Sequence, residues 1–133
     1  MGINEMRMPI FAAVLAVFCL WGQVALCAEP ADKVVRIAQI VIDPAQLDAY
    51  QAAVKEEMAE SVRLEPGVLS IYCVAEKDHP NRLHFFEIYA SDEAYRSHIA
   101  SAHFQKYVTT TKSMILSREL IETQPVQLSA KAP

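Results

Sequence analysis

Glu87 stands in the most apolar run of the mature sequence, between Phe86 and Ile88. A carboxylate there loses solvation, which raises its pKa unless a cation pairs with it. It reads either as a general base or orienting group in a pocket, or as half of a structural ion pair with an arginine such as Arg36 or Arg118. His98 shares a helix face with Ala94 and Tyr95. Imidazole titrates near neutral pH and suits removal of a phenolic proton. A helix histidine also serves purely as a fixed hydrogen bond that locks its helix to a sheet, and both readings stay open. His103 follows five residues later, so in a continuous helix it points about 140° away from His98. On that geometry the two do not chelate, and His103 reads as a helix-start or packing residue. Tyr89, Phe104 and Tyr107 have the spacing to line a cavity for a flat aromatic ligand, or simply to fill a core. With His103 they form the candidate substrate-pocket set.

Several chemistries are disfavoured. After residue 28 the chain has a single glycine, Gly67, so the glycine-rich phosphate loops of nucleotide and dinucleotide sites are excluded. None of its four histidines has a histidine partner at i+4, and there is no cysteine pair, so a helix- or finger-type metal site is not expected. The net charge is −4, with lysine and arginine scattered, which gives no basic patch for nucleic acid. Cys73 is the one cysteine outside the N-terminal segment. It lies in an apolar strand run and reads as a small inert core thiol.

These side chains need elements to position them. Val34 to Ile42 is rich in β-branched residues and reads as a strand. Asp43, Pro44 and Gln46 open a helix with a capping acid, a first-turn proline and a box-closing glutamine. Its stripe is Leu47, Tyr50, Val54, Met58 and Val62, and Glu65-Pro66-Gly67 ends it. Val68 to Ala75 and Leu83 to Ala90 read as a hairpin across the polar segment 77–81. Ser91, with Asp92 and Glu93 behind it, starts a short helix to about Ile99. Ser101 restarts a second one through Phe104, Tyr107 and Val108, and Met114 to Glu122 is the last strand. The order is βαββαβ, an α+β ferredoxin-like split pattern with an antiparallel sheet.

The strands do not alternate as a one-sided sheet does. Val68, Tyr72 and Val74 are expected on one face, and Leu69, Ile71, Cys73 and Ala75 on the other. Phe85 and Phe86 must point to opposite faces. Helices cover one face, and a second copy of the chain is the expected cover for the other, giving a homodimer.

The ends carry different information. Arg7 precedes an uncharged apolar run from Ile10 to Trp21, which is short for a membrane span of roughly 20 residues. Small residues follow up to Ala28. Residues 1–28 therefore read as a signal peptide cleaved after Cys27 or Ala28. Residues 29–124 form the domain and 125–133 a loose tail. The expected product is periplasmic or secreted, with no membrane attachment after cleavage.

The run Glu87-Ile88-Tyr89-Ala90-Ser91-Asp92-Glu93-Ala94-Tyr95-Arg96-Ser97-His98, continuing through Ser101-Ala102-His103-Phe104, resembles the antibiotic-biosynthesis-monooxygenase domain family. So does Glu65-Pro66-Gly67 upstream. The similarity covers about Val34 to Glu122. It implies a ferredoxin-like fold, homodimers sharing a dimeric α+β barrel, and a pocket in each subunit between sheet and helices. It also implies a range of activities, among them cofactor-free oxidation of quinols and polyketide phenols. Haem-degrading members carry a tryptophan and an axial histidine where this chain has Tyr89 and Val108, so haem chemistry is not expected. The resemblance points to a cofactor-free, quinol-type monooxygenase with His98 or Glu87 as base. The alternative is a non-catalytic dimeric module that binds a small aromatic molecule.

Overall fold

A computed structural model describes residues 33–131; the expected signal peptide and the last two residues lie outside that range. The strands are β1 (Val34–Ile42), β2 (Val68–Ala75), β3 (Arg82–Tyr89) and β4 (Ile115–Glu122); the helices are α1 (Leu47–Leu64), α2 (Asp92–Ala100) and α3 (Ala102–Thr111). The sheet order is β2-β3-β1-β4 with every pairing antiparallel. This is the expected α+β, ferredoxin-like arrangement. The core is one cluster between the sheet's inner face and the helices, built on Ile40, Ile42, Phe85 and Tyr89 from strands and Tyr50 and Val54 from α1.

Local chemistry explains the element ends. Asp43 accepts from the Ala45 amide at 3.0 Å, and Pro44–Gln46 form a 3-10 turn before α1 begins. Gln46 donates to the Asp43 carboxylate at 3.2 Å rather than returning to its backbone amide, so the box closes side chain to side chain. Ser91 caps α2 by accepting from Ala94. Ser101 accepts from the Phe104 amide and holds an extended backbone, φ −66° and ψ 152°, which separates α2 from α3.

Two expectations about faces change. The pairing of β2 with β3 shifts between Val68 and Ser70, a bulge at Leu69. Val68 therefore falls on the inner face with Ile71 and Cys73, while Leu69 is exposed. An extra residue in one strand inverts the alternation beyond it, which residue types alone do not reveal. On α1 the stripe turns after Val54: Glu57 and Ser61 are buried, whereas Val62 is 53% exposed. Phe85 and Phe86 do point to opposite faces, the first buried and the second exposed. The outer face thus carries Leu69, Tyr72, Val74 and Phe86, all exposed.

Gly67 joins α1 to β2 and its carbonyl accepts from the Ala90 amide at 2.8 Å. Its backbone does not use the left-handed region. Space is the reason for glycine here, because a Cβ at this position runs into the Cβ of Ala94 on α2. Gly67→Ala is expected to lower stability by about 1–3 kcal/mol, the usual cost of overpacking. Adding Ala94→Gly should recover much of that loss. Chemical denaturation of the single and double variants checks this, and additive losses would show that the two positions do not meet.

Candidate active site: a carboxylate-held histidine beside an aromatic cavity

The end of α1 supplies the acid that organises the site. One oxygen, Glu65 Oε1, lies 3.0 Å from His98 Nδ1 on α2 and 2.5 Å from His103 Nε2 on α3. A carboxylate only accepts hydrogen bonds, so both of these ring nitrogens donate. On α1, Glu57 sits two turns earlier on the same face; its Oε1 accepts from the Ser61 hydroxyl at 2.7 Å and stands 3.7 Å from His98 Nε2. His98 is only 2% exposed.

The expected divergence of His98 and His103 is therefore corrected. Their rings are 6.4 Å apart, because the break at Ser101 re-aims α3 and brings both onto Glu65. Glu57, His98 and His103 each bring one donor atom to within 4.8 Å of the others, a set of mixed nitrogen and oxygen donors of the kind that can hold a divalent cation.

His98 and Glu57 line a cavity of about 200 Å³ between the sheet and α2–α3. Glu87, Tyr89, Phe104 and Tyr107 line it too. His103 does not; it borders a separate crevice of about 40 Å³ with Glu57 and Lys106. The rings interlock, with Tyr89 edge-on to Tyr95 at 5.2 Å and Phe104 edge-on to His98 at 4.8 Å. The Tyr107 and Tyr50 hydroxyls share a hydrogen bond of 2.6 Å. An apolar cavity of roughly 150 Å³ is enough for benzene, so this one has room for a single substituted ring.

Glu87 points into the cavity from β3 and makes neither of the expected arginine pairs. Its Oε2 accepts instead from the Tyr89 hydroxyl at 2.8 Å. Burial pushes the Glu87 carboxyl above the ordinary carboxylate range; the Tyr89 hydrogen bond and the nearby His98 oppose this only in part. Burial next to Glu87 likewise raises the Tyr89 phenol. The Cys73 thiol, half-buried on β2, is pushed up to about 11 by burial and the Glu87 charge, as fits an inert core thiol.

Sequence reasoning singled out His98, Glu87, Tyr89, Phe104 and Tyr107, and all five line one cavity. It missed Glu57 and treated Glu65 only as a helix terminator. A signal for Glu65 was present: an acid at a helix C-terminus faces the negative end of the helix dipole and so calls for donors. Glu57 was legible as the i+3 neighbour of Val54 on a buried stripe.

Residues 33–110 match the family model described as antibiotic biosynthesis monooxygenase. A crystallised Bacteroides thetaiotaomicron protein assigned as an antibiotic biosynthesis monooxygenase is 47% identical with a TM-score of 0.73, over 77% of this chain and 97% of that one. A Lactobacillus acidophilus protein assigned as a monooxygenase is 34% identical with a TM-score of 0.66, over 67% of this chain and 42% of that one. A Nitrosomonas europaea protein shares the fold, with a TM-score of 0.69 at 19% identity over 75% and 96%. No curated protein matches the chain.

The raised Glu87 carboxyl has a consequence for stability. Its folded pKa lies above its unfolded value, so the folded state holds the proton longer and stability falls as pH rises from the unfolded value through the folded one. Glu87→Gln should abolish this loss. Wild type and variant are expected to diverge in favour of the variant as pH rises through that window, as followed by denaturant unfolding. A gap that stays constant with pH would mean that folding does not raise the Glu87 carboxyl.

Proposed function

The chain belongs to the antibiotic biosynthesis monooxygenase family, and from that premise we propose that it is an exported, cofactor-independent monooxygenase-like protein acting on a small quinol-type aromatic. One observation carries the reading: Glu65 accepts a hydrogen bond from His98 Nδ1, which leaves Nε2 to act as base on a residue that lines the aromatic cavity. A carboxylate that fixes the tautomer and orientation of an imidazole is the arrangement of a general base.

The chemistry follows from that placement. A quinol hydroxyl gives its proton to His98 Nε2, and Glu57 and Glu65 on either side compensate the imidazolium charge. The quinolate is electron-rich enough to pass one electron to dioxygen, giving a semiquinone radical and superoxide. These combine at a ring carbon as a peroxide anion, which takes the proton back from the imidazolium to become a hydroperoxide. Its O–O bond then breaks: one oxygen stays on that carbon as a carbonyl, the other leaves as water with the ring hydrogen, and the product is a quinone. Glu87, its carboxyl raised by burial and held by the Tyr89 hydroxyl, faces the ring and orients it through a hydrogen bond to a ring hydroxyl. The cavity supplies orientation and a dry surrounding.

Export and pairing belong to the same proposal. The short uncharged run before Ala28 supports cleavage. The exposed Leu69, Tyr72, Val74 and Phe86 on the outer sheet face support a homodimer through that face, since a patch of this kind is uncommon on a lone subunit. Native mass spectrometry of protein purified from the envelope fraction tests both. It should report two subunits, each beginning at Ala28 or Glu29. A monomer would overturn the pairing, and an intact N-terminus would overturn the export.

His98→Gln tests the base. Oxygen uptake with a panel of hydroquinones should fall by roughly 10²–10⁴-fold per folded molecule, the usual worth of a positioned general base. Raising the pH should restore part of the rate by ionising the substrate in solution. Because His98 also holds α2 to Glu65, the variant should lose about 1–3 kcal/mol of stability. An unchanged rate per folded molecule would remove His98 from the mechanism. Ligand-induced stabilisation of the wild type with no oxygen uptake would identify a binding module instead.

A further inference from the structure

The cavity contains a cation that no described residue neutralises closely. Arg36 lies on the inner face of β1, flanked in register by Glu87 on β3 and Glu122 on β4. Its side chain is 20% exposed, and its one ion-pair contact among the described residues is Glu122 at 3.7 Å, a carboxylate that is itself 85% exposed. Glu87, on the other side, is bonded by Tyr89. No buried side-chain donor among the described residues is left without a partner, so the unbonded N–H groups of Arg36 are accessible, and the residue lines the cavity. The guanidinium rests over the Tyr95 ring at 4.7 Å, a contact that leaves its N–H edges available. Arg118 lines the same cavity from β4.

A guanidinium largely removed from water and without a close counter-ion favours an anion, and its planar fork matches a carboxylate with two parallel hydrogen bonds. We propose that the cavity is a site for aromatic acids, with the ring among Tyr89, Phe104 and Tyr107 and the carboxylate on the free edge of Arg36. This assignment rests on the aromatic-cavity reading above and narrows its substrate class to rings that carry an acidic substituent. It also gives the ring a fixed orientation: one end is anchored at the sheet by Arg36, and its hydroxyls turn towards His98.

Anaerobic calorimetry with the purified wild-type protein tests it on three ligands: 2,5-dihydroxybenzoate, its methyl ester, and unsubstituted hydroquinone. The acid should bind roughly tenfold or more tighter than the ester, as expected for charge-assisted hydrogen bonds. Arg36→Gln should remove that preference while leaving the affinity for the ester within about twofold, and Arg36→Lys should retain part of it. Equal wild-type affinity for acid and ester would overturn the inference while leaving the aromatic cavity standing. A preference that survives in Arg36→Gln would overturn the role of Arg36. Binding of none of the three would overturn the cavity reading and this inference together. Should Arg36→Gln not fold, the wild-type comparison of acid with ester decides alone.

Discussion

The three helices converge on a single oxygen atom. Glu65 Oε1 accepts from His98 on α2 and from His103 on α3, while its own residue ends α1. An acid at this place faces the negative end of its helix dipole and is largely withdrawn from water, so it needs strong donors. Two imidazole N–H groups supply them, and they reach the same oxygen only because Ser101 interrupts what would otherwise be one helix. The angle between α2 and α3, the burial of His98 and the shape of the cavity beneath them all follow from that convergence. Removing a partner from such a buried contact costs more than the contact's net worth, so this network is the part of the molecule least free to change.

Much of the frame was readable from residue types. The β-branched run at 34–42, the Ser91 cap and the turn at 77–81 fix strands and helices through local chemistry, and the observed elements begin and end within a residue or two of those signals. Legibility stopped where a single backbone residue changes direction. The bulge at Leu69 moves Val68 to the other face, and the extended Ser101 brings two histidines together that a continuous helix holds apart. The bulge requires no unusual residue and leaves no compositional trace; Ser101 was legible as a helix start, but not the direction in which it sends the next helix. The same limit explains the site. His98 and Glu87 stood out because polar groups amid apolar ones are conspicuous, whereas Glu57 and Glu65 looked like ordinary acids on a charged helix until the fold buried them.

The cavity places similar groups in different surroundings. Glu57 is held by Ser61 and faces an imidazole; Glu87 is held by a phenol within an apolar wall, and burial favours its neutral form. Two acids in such different surroundings hold their protons to different extents within one small space, the way environment separates the duties of paired acids elsewhere.

β4 is an edge strand, paired only with β1, yet it forms one wall of the cavity through Arg118 and Leu120, the latter 62% exposed. His98, His103 and Glu65 sit on the opposite side, near the ends of the three helices. Replacements on β4 disturb little packing, whereas replacements at Glu65 disturb a great deal. The shape of the cavity and its histidine network are thereby mutationally separable: substitutions along the exposed strand can remodel one wall while His98 and its carboxylate stay fixed.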